Sequence, residues 1–390
     1  MDFKFSKEDE LFRQEVADFV EKELPWDWRK EKIDSEDPKD RPKVTEFKKK
    51  LAKKGWLTMA WPKEYGGQAA PHIQQLIFNE EMAYRGIPAI DAGISQVGPI
   101  IMLFGTDEQK KYFLPKISNA EIDWTQGYSE PDAGSDLAGL QTRAIEDGDD
   151  FLVTGSKIWN GAHSGASWMF MLVRTDPDAP KHRGISFLVS EMNSEGITVE
   201  KIPMMWDHSR ALITLENVRV PKKNLIGELN RGWYVGAALL DFERSGISYA
   251  SSASKLIKEL VKYCKQTHRN GKLLSEDPII RNELATMAVE IETAKMMAYS
   301  VAWMQSKSDI PNKEASISKA FGSEMVVRLV NIGMKILGSH GELEPDSKIA
   351  PLRGVIEQLY MSSPASATAA GSSEIQRNII ATRGLGLPRG

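Results

Sequence analysis

Tyr128-Ser129-Glu130-Pro131-Asp132-Ala133-Gly134-Ser135-Asp136 is the first segment whose residue types could do chemistry. Small residues and a serine after a proline turn let backbone N–H groups come close to a flat or anionic ligand. On local grounds a Gly/Asp surface turn is an equally good reading. A second segment, Lys157-Ile158-Trp159-Asn160-Gly161-Ala162-His163, follows on what reads as the next strand, and a third, Ala369-Ala370-Gly371-Ser372-Ser373-Glu374-Ile375-Gln376-Arg377, stands near the C-terminus. Together they tilt the reading from a surface turn towards a ligand site.

Whatever holds them is larger than one compact domain, since 390 residues fit two or three domains with shared interfaces. With 41% hydrophobic and 27% charged residues the composition is that of an ordinary soluble globular protein. A net charge of -4 and the lack of a basic stripe argue against a nucleic-acid surface. Cys264 is the only cysteine, which leaves no intrachain disulfide or cysteine-based metal site and points to a reducing, cytoplasmic compartment. The opening Met1-Asp2-Phe3-Lys4-Phe5-Ser6 is polar and charged, unlike a signal peptide. No uncharged run approaches the roughly 20 residues that span a bilayer.

Leu11, Phe12, Val16, Phe19 and Val20 recur at helical spacing over Lys7 to Leu24, and Pro25 ends the pattern. A charged stretch from Lys30 to Pro42 leads to a second helix through Phe47 and Leu51 that should close at Gly55. Helices are expected again from His72 to Arg85 and from Asp107 to Leu114. After about Ile122 apolar and polar residues alternate: Asp147-Gly148-Asp149-Asp150 reads as a hairpin turn, and Phe151-Leu152-Val153, Trp168 to Val173, Ile185 to Val189 and Leu212 to Leu215 read as strands. Beyond Gly232 the helical period returns, with Ile280, Leu284, Met287, Ile291, Ala294, Ala298 and Val301 on one face of a long helix. The expected architecture is α+β: an N-terminal all-α domain (1–122), a middle β-barrel-like domain (123–231) and a C-terminal helical bundle (232–390).

The three motifs, in this order and on this α-β-α layout, resemble the acyl-CoA dehydrogenase family over nearly the whole chain. The resemblance implies an FAD enzyme that oxidises an acyl-CoA thioester, usually as a homotetramer, and passes electrons to electron-transfer flavoprotein. It places Gln126, Tyr128 and Ser129 along the flavin ring, Trp159 against the isoalloxazine, and Ser135 near the CoA portion. Gly161 stands where many relatives carry a hydroxyl residue beside flavin N5, so only its backbone N–H would reach that atom. Ser372 and Glu374 fall in the cofactor-binding C-terminal motif. Arg269 and Gly338 occupy segments that in relatives reach the FAD of a neighbouring subunit. The match there is imperfect, because Thr267 replaces the usual arginine and Lys335 the usual glutamine.

Ala370 occupies the position at which many members carry the catalytic glutamate. Its backbone N–H would still donate to the thioester oxygen, but a methyl group takes no proton. Two carboxylates are candidates for the base. Glu243 precedes Arg244, as in the minority of relatives that hold the glutamate on this helix, and Asp91 lies in a segment that lines the acyl end of the pocket in relatives. Asp91 would suit a vinylogous proton of an alicyclic substrate, as in cyclohexane- or cyclohexene-carboxyl-CoA dehydrogenases. Either would need partial desolvation to act near neutral pH. The plain alternatives are a salt-bridged helix glutamate and an aspartate at a helix N-terminus. Asp241 and Arg244, three apart, would pair with each other or with CoA. Two further readings follow from Ala370: a silent partner subunit in a mixed oligomer, or a non-oxidative eliminase that needs no electron acceptor.

Overall fold

The structure is a computed structural model. It describes residues 4–31, 33, 35, 37–88, 90–206, 209–242 and 246–388, and for 239–242 the backbone alone. The chain opens with helices α1 (Lys7–Glu23), α2 (Arg41–Lys54), α3 (His72–Arg85), α4 (Gly98–Phe104) and α5 (Asp107–Ser118). Ser6 and Asp9 form a capping box at the start of α1, and Thr106 with Gln109 does the same for α5. Gly55 ends α2 at φ 74°, the left-handed cap that glycine adopts without strain. Two features depart from the sequence reading. Helix α5 runs past Leu114 to Ser118, because Pro115 forgoes a single helical hydrogen bond while the extra turn buries Ile117 to 2% exposure. A π-helical turn, Gly93–Val97, and α4 fill the stretch between α3 and α5.

The middle region is a sheet of β1 (Trp124–Gly127), β2 (Arg143–Asp147), β3 (Asp150–Asn160), β4 (Trp168–Arg174), β5 (Ile185–Glu191), β6 (Ile197–Pro203), β7 (Ser209–Pro221) and β8 (Leu225–Ile226). Its strands lie in the order β6-β7-β3-β2-β4-β5-β8, with β1 parallel to β4. The two-residue hairpin between β2 and β3 turns on Gly148 at φ 61°. Strand β4 is buried along both faces: Trp168, Phe170 and Leu172 join the core under the N-terminal helices, and Met169, Met171 and Val173 join the one inside the sheet. This double burial explains why it reads as an unbroken apolar run.

The remainder is helical: α6 (Gly232–Phe242), α7 (Ile247–Cys264), α8 (Pro278–Ser306), α9 (Asn312–Leu337), α10 (Val355–Thr368) and α11 (Ser373–Ile379), with a small hairpin of β9 (His268–Arg269) and β10 (Lys272–Leu273) after α7. Ile280, Leu284, Met287, Ile291 and Ala294 form the core of this bundle with residues of α7 and α9, such as Leu260 and Leu329. A buried ionic cluster joins the first and last regions. Glu80 of α3 meets Arg13 of α1 at 2.9 Å and Lys295 of α8 at 2.9 Å, and accepts from the Tyr299 hydroxyl at 2.9 Å. Among the described residues no helix is long and apolar enough to cross a membrane, and no cluster of side chains could hold a metal ion.

Candidate functional site

Strand β1 delivers Gln126 at its end, followed by Tyr128 and Ser129 in the first motif. This segment is pinned from below by Lys157, which is fully buried and donates to the Leu172 carbonyl at 2.7 Å, to Glu130 Oε1 at 2.8 Å and to the Tyr128 carbonyl at 3.3 Å. Glu130 in turn accepts from the backbone N–H of Gln141 at 2.6 Å and of Thr142 at 3.0 Å. Ser129 accepts from Ile158 N–H at 2.9 Å, which ties the first motif to the second. Burial pushes the Lys157 ammonium down to about 8, against the pull of Glu130, so the pair is ionic at neutral pH. Ser135 lies exposed farther along the loop.

Trp159 sits at φ +67°, where the pairing of β3 with β7 slips between Ile158 and Asn160. That bulge turns the indole outward, leaving it 55% exposed beside the Ser129 segment. A large flat apolar surface held out by a left-handed backbone is a ready platform for a flat heterocycle. Gly161 then opens a tight turn through Ser164. Arg41 of α2 clamps this turn: it donates to the Ser164 carbonyl at 2.8 Å and pairs with Asp123 at 2.7 Å.

The two expected bases fare differently. Asp91 stands at the start of the π-helical turn, where Oδ1 accepts from Ile94 N–H at 3.1 Å and Oδ2 pairs with Lys48. Lys48 is buried and reaches Asp123 as well, at 3.3 Å. Burial opposes its charge, but Asp91 and Asp123 outweigh it and hold the ammonium above its ordinary range. Both oxygens of Asp91 are therefore engaged. Glu243 and Arg244 lie outside the described residues, as does the side chain of Asp241.

In the C-terminal motif Ala369 caps α10, and the next two residues are left-handed, Ala370 at φ 52° and Gly371 at φ 85°. Ala370 is exposed. Ser372 is the N-cap of α11, its hydroxyl accepting from Ile375 N–H at 3.4 Å, and Glu374 points to solvent. The structure brings Arg269 and Gly338 together: Arg269 donates to the Ile336 carbonyl near the end of α9, and Gly338 adopts φ 59°, ψ -140°, a conformation for glycine. Lys335 is exposed at 3.7 Å from Glu283. A cavity of about 780 Å³ lies elsewhere, between α5 and the ends of β4, β5 and β7, lined by residues such as Tyr112, Trp168 and Lys223, and includes none of the site residues.

The sequence matches the acyl-CoA dehydrogenase N-terminal domain over residues 6–121, the middle domain over 125–218 and the C-terminal domain over 230–385. The chain belongs to the acyl-CoA dehydrogenase family. It is 36% identical to acyl-CoA dehydrogenase FadE26 of Mycobacterium tuberculosis over 346 residues, covering 87% of this chain and 86% of that one. Among solved structures it is similar to the Tcur3481-Tcur3483 steroid ACAD, with a TM-score of 0.91 and 33% identity over 100% of both chains. It is also similar to the ChsE4-ChsE5 complex from Mycobacterium tuberculosis, with a TM-score of 0.90 and 32% identity over 100% of both chains.

Acyl-CoA dehydrogenases are FAD-dependent oxidoreductases acting on CH–CH bonds, and the residues of this chain fit that cofactor. The exposed Trp159 indole and the pinned Tyr128-Ser129 backbone offer one flat face, and Gly161, two residues on, adds no side chain to it. Sequence reasoning missed the roles of Lys157, which pins the Tyr128 carbonyl, and of Lys48 and Arg41, which meet at Asp123 just before β1. One signal was available for Lys48, which shares a helical face with the buried Val44 and Leu51.

Proposed function

We propose that this acyl-CoA dehydrogenase oxidises a branched or alicyclic acyl-CoA, extending to ring systems of steroid type, with Glu243 as proton acceptor. The Trp159 platform carries the flavin part of this reading, and the likeness to a steroid ACAD supports the acyl class. Bound FAD would supply the hydride acceptor. The chain's own residues would do the rest: Gln126, Tyr128, Ser129 and Trp159 would hold the ring, with the Gly161 N–H available as a donor to it. Ser135, Asp241 and Arg244 serve the CoA end, and Arg269 with Gly338 serves the cofactor of an adjoining subunit. The Ala370 N–H donates to the thioester oxygen, stabilising the enolate-like charge that grows as the proton leaves.

Glu243 is preferred over Asp91 because both oxygens of Asp91 are committed to Lys48 and Ile94 N–H. Replacing the base by its amide removes the proton acceptor, and general-base catalysis is worth about 10²–10⁴-fold. Glu243→Gln should slow anaerobic flavin bleaching by an acyl-CoA by that order, whereas Asp91→Asn should act mainly on stability. Equal rates for Glu243→Gln and the wild type would reject the assignment.

A second reading is favoured by the named pairs Tcur3481-Tcur3483 and ChsE4-ChsE5: this chain works in a mixed oligomer with a second dehydrogenase chain rather than as a homotetramer. Purified protein that bleaches its flavin as a homo-oligomer would exclude the silent-partner form of it. Electron-transfer flavoprotein is the proposed acceptor in either case.

A further inference from the structure

The turn that presents Ala370 has a support that its immediate sequence does not reveal. Two consecutive left-handed residues, one of them alanine, are a strained way to leave a helix, with a cost of about 1–2 kcal/mol for the alanine. Side chains from two other helices hold the turn in that shape. Lys319 of α9 is 5% exposed and donates to the Gly371 carbonyl at 2.8 Å and to the Ala367 carbonyl at 3.3 Å. Gln376 of α11 is 1% exposed, and its Nε2 donates to the carbonyls of Gly371 at 3.1 Å and Ala370 at 3.2 Å. A Cβ on Gly371 would come within 2.7 Å of that nitrogen, so glycine is what lets the amide approach.

An apolar side chain of similar length would fill the place of Lys319 without the cost of burying an ammonium. Capping the end of α10 is one use for that charge. The geometry serves a second. The Ala370 N–H belongs to the 369–370 peptide, which lies between the held Ala367 carbonyl and Ala369 N–H on one side and the held carbonyls of 370 and 371 on the other, so its rotation is restrained from both ends. We infer that Lys319, together with Gln376, is a positioning residue that aims the Ala370 N–H at the thioester oxygen. This rests on the dehydrogenase reading above. It matters more in this chain than in one with a glutamate at 370, because here the residue acts through its backbone alone.

The test uses FAD-loaded protein and acetoacetyl-CoA, whose short acyl group makes little demand on pocket shape. On binding, its carbon-2 proton passes to solvent and the negative charge spreads to the carbonyl oxygens, so the enolate fraction, read by absorbance against pH, reports donation to the thioester oxygen. Lys319→Met should lower that fraction by about tenfold or more at fixed pH. Flavin content and the affinity for CoA alone should stay within about twofold of wild type, and Lys319→Gln, which keeps a donor, should recover part of the loss. Gln376→Leu reads the same quantity from the other helix if Lys319→Met fails to fold. A folded, flavin-loaded variant with wild-type enolate fraction would overturn the inference and leave only a helix cap. Wild-type protein that neither ionises acetoacetyl-CoA nor bleaches its flavin with any acyl-CoA would instead remove the dehydrogenase reading, and this inference with it.

Discussion

Lys157 shows how much one side chain decides at this site. It has no exposure, and it joins the Tyr128 carbonyl and Glu130 to the Leu172 carbonyl of β4. Breaking a buried pair by removing one partner leaves an uncompensated charge, at a cost of about 3–5 kcal/mol. Lys157→Met should therefore lower stability by that order, measured by denaturant unfolding, and reduce FAD content, while Lys157→Met with Glu130→Gln should recover part of the loss. The pH dependence has a definite sign. The folded-state pKa, about 8, lies below the ordinary 10.5, so between those values the unfolded chain binds more protons. This group then makes stability rise with pH across that window and contributes no slope below it. Unfolding free energies from pH 7 to 10 should show a rise in wild type that is missing in Lys157→Met.

At the scale of elements, α2 and the turn after β3 are joined by a guanidinium. Arg41 lies so close to Gly165 that a Cβ there would stand 2.4 Å from Nη1, and Gly165 is itself at φ +92°. Gly165→Ala combines that clash with a left-handed penalty of about 1–2 kcal/mol. It should weaken FAD binding severalfold, read by flavin fluorescence on dilution, with the melting temperature of the C-terminal bundle little changed. Arg41→Met should weaken FAD binding in the same direction. Unaltered flavin affinity in both would show that the turn holds its shape without α2.

Across the whole molecule, the N-terminal helices and the C-terminal bundle meet at Glu80. Burial opposes ionisation of its carboxyl, but Arg13 and Lys295 outweigh that and hold its pKa below the usual 4.5. A depressed carboxyl contributes stability that is present above the unfolded pKa and lost as pH falls through the folded one. Glu80→Gln should lower stability at pH 7 by about 3–5 kcal/mol. It should also flatten the loss that wild type shows on acidification below about 4.5, measured by urea unfolding at several pH values. The same cluster positions α3, so the variant is expected to loosen the contact of α3 with α7 and α8.

Helix limits, strands and the order of the three regions were legible in the sequence wherever burial is one-sided or a cap is local. The stripe of Ile280, Leu284 and Met287, the glycine at 55 and the hairpin at Gly148 each follow from period or turn chemistry within a few residues. That position 370 carries no side-chain acid was equally visible, since it is a matter of residue type. What tertiary structure alone decided is which charges are committed. Asp91 reads as a candidate base or as an aspartate at a helix N-terminus, and its pairing with Lys48, 43 residues earlier, comes only with the fold. The place of Lys319 likewise comes only with the fold, which brings its ammonium onto the Gly371 carbonyl, 52 residues later. Periodicity and capping are local properties of a chain, whereas the pairing of buried charges depends on contacts between distant segments, which only the assembled fold supplies.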